Sequence, residues 1–188
     1  MSKFTLVTGC MFSGKTNVLV ARYQEYLDWG IRVIVIKPRL DTRYGATSEI
    51  CSHDNGRAPA FLIDETNPRE MRELVNQKGP AAVIIDEVQF LPGEATREVI
   101  TWILGVGIDV TAAGLNYNFR REPFGATPFL ESIADVHQRL VARCAQPECD
   151  MPAIYTERLA IAGTKEIVVA GAELYLPKCA AHHQINVE

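Results

Sequence analysis

No run of apolar residues in this chain comes near the roughly 20 needed to carry a helix across a bilayer. The longest unbroken one is AAVII at 81–85. The N-terminus, MSKFTLVTG, has no long apolar segment ahead of a cleavage site, which predicts no signal peptide and a cytoplasmic protein. A basic excess is missing too. Nineteen Lys and Arg stand against 23 Asp and Glu, for a net charge of −4. That argues against a broad electrostatic grip on DNA or RNA, while leaving room for a local basic pocket for phosphate. Cysteines number five, an odd count that speaks against a disulfide scaffold. Internal repeats and low-complexity segments are absent. What remains is 188 residues, 47% of them hydrophobic. That suffices for one α/β domain with a real core and a small appendage.

Apolar runs and helical periodicities alternate along the chain. FTLV (4–7), RVIVIKP (32–38), AAVIIDE (81–87) and DVTAAGL (109–115) read as buried strands. Between them, Leu19, Tyr23, Tyr26 and Leu27 fall at helical spacing before Gly30. PREMRELVNQKG (68–79) and GEATREVITWILGVG (93–107) read as amphipathic helices. The alternation predicts a mostly parallel sheet with helices on both faces. Residues 39 to 60 read as a long polar loop. After the polar stretch NYNFRREPFG come a short helix, a strand around 136–143, and two short strands, AIYTER and EIVVAG. A boundary near residue 143 divides the chain into an α/β domain, 1–143, and a cysteine-bearing appendage, 144–188.

The stretch GCMFSGKT joins the first strand to the first helix and fits G-x-x-x-x-G-K-[ST]. Glycines let successive N–H groups turn inward at phosphate oxygens, and the following helix adds its positive end. Residues 9 to 16 (Gly9, Cys10, Met11, Phe12, Ser13, Gly14, Lys15 and Thr16) are thus candidates to hold the phosphates of ATP. Lys15 reaches the outer phosphates, and the Thr16 hydroxyl suits Mg²⁺. Such a site needs an acid at the end of a neighbouring strand. VIIDE supplies Asp86 as the second Mg²⁺ partner. Glu87 beside it can take a proton, from water in an ATPase or from an acceptor hydroxyl in a kinase.

Cys144-x4-Cys149 and Cys179-x2-His182 form two pairs about 30 residues apart, a Cys3His set for one structural Zn²⁺. His182 is favoured over His183 by the C-x2-H spacing. Cys10 and Cys51 have no partner at ligand spacing and read as small filler residues.

Together GCMFSGKT, IKPRLDTRY, SHDNG, IIDEVQF, GLNYNFRREPFG, AIYTERL, VVAGAELY and CAAHH occur in one order over nearly the whole chain. In this the sequence resembles the type II thymidine kinases, small P-loop enzymes with a zinc-held lasso. The resemblance implies ATP-dependent, Mg²⁺-assisted phosphorylation of the thymidine 5′-hydroxyl. It also implies a homotetramer and feedback inhibition by thymidine triphosphate. By the same resemblance Glu87 is the general base, and Arg43 and Lys15 serve the transferring phosphoryl group. Gln89 contacts phosphate or sugar. Tyr175 closes over the nucleoside and Phe124 stacks on the base. Met11, Leu115 and Thr156 line the pocket around the 5-methyl group. Phe119 belongs to the same nucleoside-binding set, and main-chain groups of Val168, Val169, Ala170 and Gly171 read the pyrimidine edge.

Four positions depart from the family pattern. Cys144 and Cys149 are separated by four residues where two are usual, and Asn116 stands where Asp is usual. Val88 replaces a smaller residue, and Ala170 stands where Gly-Gly is common. Most of these lie on the acceptor side. They leave open a kinase for another or a 5-modified deoxypyrimidine, and a non-catalytic nucleotide-binding assembly module.

Overall fold

The computed structural model describes residues 2–40, 48–51, 56–159 and 174–185. Its centre is a six-stranded, all-parallel sheet in the order β5-β2-β6-β7-β1-β8. The strands are β1 (Phe4–Thr8), β2 (Val33–Pro38), β5 (Phe61–Ile63), β6 (Ala82–Ile85), β7 (Asp109–Gly114) and β8 (Val136–Arg139). Helices α1 (Lys15–Asp28), α2 (Glu70–Lys78), α3 (Gly93–Gly105) and α4 (Thr127–Glu131) connect or follow them.

Strand residues alternate between two buried faces, which is why these strands read as unbroken apolar runs. Phe4, Leu6, Ile34, Ile36, Val83 and Ile85 pack with Met71, Val75, Val99, Ile100, Ile103 and Leu130 from α2, α3 and α4. Val7, Val35, Ile84 and Ala113 point the other way, onto Leu19 and Tyr26 of α1.

Two expectations need correction. Residues 39–60 are more than loop: β3 (Glu49–Cys51) pairs antiparallel with β4 (Arg57–Pro59). Ile50 and Ala58 join the α1-side core. Three scattered buried residues (Ile50, Ala58 and Ala60) in a polar stretch give no readable period. Second, the acid-bearing strand β6 is not adjacent to β1, because β7 lies between them.

Beyond β8, three short strands follow, β9 (Ala142–Arg143), β10 (Pro152–Ala153) and β11 (Tyr155–Arg158), and then β12 (Tyr175–Lys178). They form the antiparallel pairs β9–β10 and β11–β12. β12 is a strand that the sequence did not announce. The EIVVAG stretch falls outside the described residues.

Candidate active site

The loop between β1 and α1 meets the demands of an anion cradle. Phe12 and Gly14 both take left-handed backbone, at φ 65 and 85. A side chain on Gly9 would strike Ser13 Oγ at 2.5 Å and the Leu140 carbonyl at 2.6 Å. Close approach of β8's end therefore requires glycine there. Ser13 Oγ and Lys15 Nζ each donate to the Cys10 carbonyl at 2.8 Å. Lys15 is thereby held folded over the loop. The Thr16 hydroxyl donates to Asp86 Oδ2 at 3.2 Å, so this pair meets across the end of the intervening β7. Asp86 Oδ1 accepts the Glu87 N–H at 2.9 Å.

Glu87 is buried and left-handed, at φ 55. Such a conformation costs a residue with a side chain on the order of 1–2 kcal/mol. The surrounding contacts hold it. Gln89 Nε2 donates to the Glu87 carboxylate, and Gln89 Oε1 accepts the Leu115 N–H at 3.0 Å. Gly125, at φ 54, presses on the same turn. A Cβ there would lie 1.7 Å from the Gln89 carbonyl oxygen. Gly125→Ala is expected to destabilise the protein by about 3 kcal/mol or more through overpacking and a strained φ. Denaturant unfolding checks this.

Leu115 leads from Gln89 to an apolar group. Met11, Leu115 and Tyr175 are buried together, with Phe12, Phe124 and Leu174 packed against them. Phe124 also meets Phe90 edge-on, with centroids 5.9 Å apart. Thr156 adjoins this group, its Oγ1 accepting the Met11 N–H at 3.0 Å. Phe119 is not part of the cluster. It lies buried with the Arg120 and Arg158 guanidinium groups over its ring. Leu159 N–H donates to the Leu174 carbonyl at 2.9 Å, joining the two ends of the segment between them. Arg43 and Val168, Val169, Ala170 and Gly171 lie outside the described residues.

Cys144, Cys149, Cys179 and His182 converge, with their ligand atoms all within 4.8 Å of one another. Cys149 Sγ and Cys179 Sγ are 4.0 Å apart. His182 Nδ1 lies 3.9 Å from Cys144 Sγ and 3.3 Å from Cys179 Sγ. A tetrahedral zinc with ordinary bond lengths sets sulfur–sulfur edges of about 3.8 Å and sulfur–nitrogen edges of about 3.6 Å. The donor set therefore fits a metal ion, and none of these cysteines is in a disulfide.

Burial acts to raise the Cys144 pKa. Backbone N–H groups of Cys179 and Gln146, with the His182 and Cys179 side chains, outweigh it and hold the thiol at about 6, in the ligating thiolate form at neutral pH. The widened Cys144–Cys149 spacing closes in a turn: Cys149 N–H donates to the Gln146 carbonyl, and Glu148 is left-handed at φ 58. The extra residues leave the donors converged.

His183 points elsewhere, with Nδ1 facing Arg121 and Nε2 facing the Thr156 carbonyl. Cys10 is more than filler. Burial pushes its pKa up, and its S–H donates to the Ala153 carbonyl at 3.2 Å, docking the phosphate loop on the cysteine-bearing lobe. No spacing in the sequence signals that contact.

Comparison with known proteins agrees with this arrangement. The family description "Thymidine kinase" matches residues 2–183. The thymidine kinase of Coprothermobacter proteolyticus is 37% identical over 185 residues, covering 96% of this chain and 89% of that one. That of Pyrobaculum aerophilum is 35% identical, covering 96% and 97%. That of Onion yellows phytoplasma is 33% identical, covering 95% and 85%. Among solved structures, the flagellar accessory protein FlaH from Methanocaldococcus jannaschii superposes with a TM-score of 0.50. It covers 75% of this chain and 76% of its own at 8% identity, a likeness of fold alone. With a match that runs through both the phosphate loop and the cysteine-bearing lobe, this chain belongs to the thymidine kinase family.

Proposed function

We propose that the protein transfers the γ-phosphoryl group of ATP to the 5′-hydroxyl of thymidine, giving thymidine monophosphate. Beyond family membership, one observation supports this most strongly. Gln89 joins the Glu87 carboxylate to Leu115, a wall of the apolar group that includes Met11 and Tyr175. A proton acceptor and the buried apolar cluster that holds Met11, Leu115, Phe124 and Tyr175 thus share one strut beside the phosphate loop.

In this reading Glu87 takes the 5′-hydroxyl proton as its oxygen attacks the γ-phosphorus in line, and ADP leaves. Lys15 exchanges the Cys10 carbonyl for phosphate oxygens. Arg43 is assigned to the charge on the transferring group. Mg²⁺ bound with ATP neutralises phosphate charge, and the oxygen pair of Thr16 and Asp86 suits it. Phe124 stacks on the base, Thr156 borders the 5-methyl group, and Tyr175 and the main chain of 168–171 close over the pyrimidine. The reading further divides the chain into an α/β domain (1–143) and a zinc-binding lobe (144–188). It includes a cytoplasmic homotetramer inhibited by thymidine triphosphate.

ATP-dependent phosphorylation of a nucleoside panel tests it. Thymidine is expected to be phosphorylated. Deoxyuridine should follow with kcat/KM lower by about 10- to 100-fold, because a methyl group in an apolar pocket contributes only about 1–3 kcal/mol. Purine nucleosides should not react. Preference for a different pyrimidine would replace thymidine as substrate. ATP binding without turnover of any nucleoside would point to a non-catalytic module.

A further inference from the structure

Arg121 lies in the loop between β7 and α4, apart from the phosphate machinery. Its backbone is left-handed, at φ 64, a conformation that favours glycine. The side chain gives a reason for an arginine there. Nε donates to His183 Nδ1 at 3.1 Å, and Nη2 donates to the carbonyls of His183 at 2.9 Å and Ala180 at 3.3 Å. The guanidinium carbon lies 4.7 Å above the Tyr155 ring, which in turn packs on His183 with centroids 5.3 Å apart.

A guanidinium can only donate, so His183 Nδ1 must accept. The ring proton is therefore on Nε2, which donates to the Thr156 carbonyl at 3.2 Å. Thr156 Oγ1 accepts the Met11 N–H of the phosphate loop at 3.0 Å. His183 directly follows His182 of the Cys3His set. One connected path therefore runs from Arg121 through the turn that carries a metal ligand to the apolar cluster around Met11.

We propose that Arg121 and His183 form a clamp that docks the metal-bearing lobe against the apolar cluster around Met11, making both of them positioning residues for nucleoside binding. The clamp fixes the Thr156 backbone, and Thr156 fixes Met11. The effect on nucleoside binding rests on the kinase reading above, whereas the docking of the lobe does not.

Arg121→Gly is the direct test, because glycine is at ease at this φ and only the guanidinium is lost. The purified variant is expected to retain its zinc, yet to lose it to a chelator about 10-fold faster or more, as for other outer partners of metal ligands. KM for thymidine should rise about 10-fold, with kcat within about 2-fold of the parent and KM for ATP raised less than KM for thymidine. His183→Leu should behave alike. His183→Gln should recover most of the loss, since its carboxamide can accept from Arg121 and donate to Thr156. Unchanged chelator release and thymidine KM in Arg121→Gly would overturn the clamp. So would a uniform fall in kcat and in affinity for both substrates, which marks general destabilisation. If the parent protein does not phosphorylate thymidine, the kinase reading fails instead. The release rates then decide the clamp alone: faster release in Arg121→Gly supports it and equal release overturns it.

Discussion

Replacing Glu87 with glutamine is expected to lower kcat for thymidine phosphorylation by about 100- to 10,000-fold, the range for loss of a general base. KM for ATP should hardly move. The substitution keeps the size of the side chain and an oxygen to accept from Gln89. What it removes is the capacity to take a proton. The left-handed backbone at Glu87, the Gln89 strut and the close approach of Gly125 together fix where that carboxylate stands. Steady-state kinetics on thymidine and ATP measure the effect. Turnover equal to the parent's would move the base to another group.

The second large effect concerns the metal. Among its described residues, the cysteine-bearing lobe has little core of its own. Its buried cluster is Cys144, Cys149, Cys179 and Ala153, with Cys10 contributed by the phosphate loop. Strand pairs of two to four residues cannot stand on so small an apolar area, so ligation must supply much of the order. Structural zinc in small peptide domains contributes on the order of 10 kcal/mol. Cys179→Ser is expected to reduce zinc from about one per chain to near none and to lower the thermal midpoint clearly. Thymidine affinity should go with it, because the lobe carries Thr156 and Tyr175. Metal analysis, thermal unfolding and calorimetric titration with thymidine check these outcomes together. Metal-free protein that melts and binds thymidine like the parent would contradict a structural role.

Much of the fold was legible because a parallel sheet covered on both faces writes its strands as apolar runs. AVII and VIVIK are buried on alternate sides by helices from either layer. The phosphate loop and the Cys3His set were legible because their chemistry demands fixed residue types at short spacings. Other features depend on contacts between distant segments. The left-handed turns at Phe12 and Glu87 break the local preference for glycine and are held by their surroundings. The β3–β4 pair shows only Ile50 and Ala58 to the core. The placement of β7 between β1 and β6 is a matter of strand order, which alternation alone does not determine. The C-x2-H spacing already favours His182, whereas the partners that hold His183, Thr156 and Arg121, lie 27 and 62 residues away.

The most direct measurement is incubation of the purified protein with Mg²⁺, ATP labelled in the γ-phosphate and thymidine, followed by identification of the labelled product. The account predicts label on the 5′-oxygen of thymidine, formed by the parent and nearly absent with Glu87→Gln. Label released only as inorganic phosphate, or bound ATP that stays intact in the presence of thymidine, would contradict it.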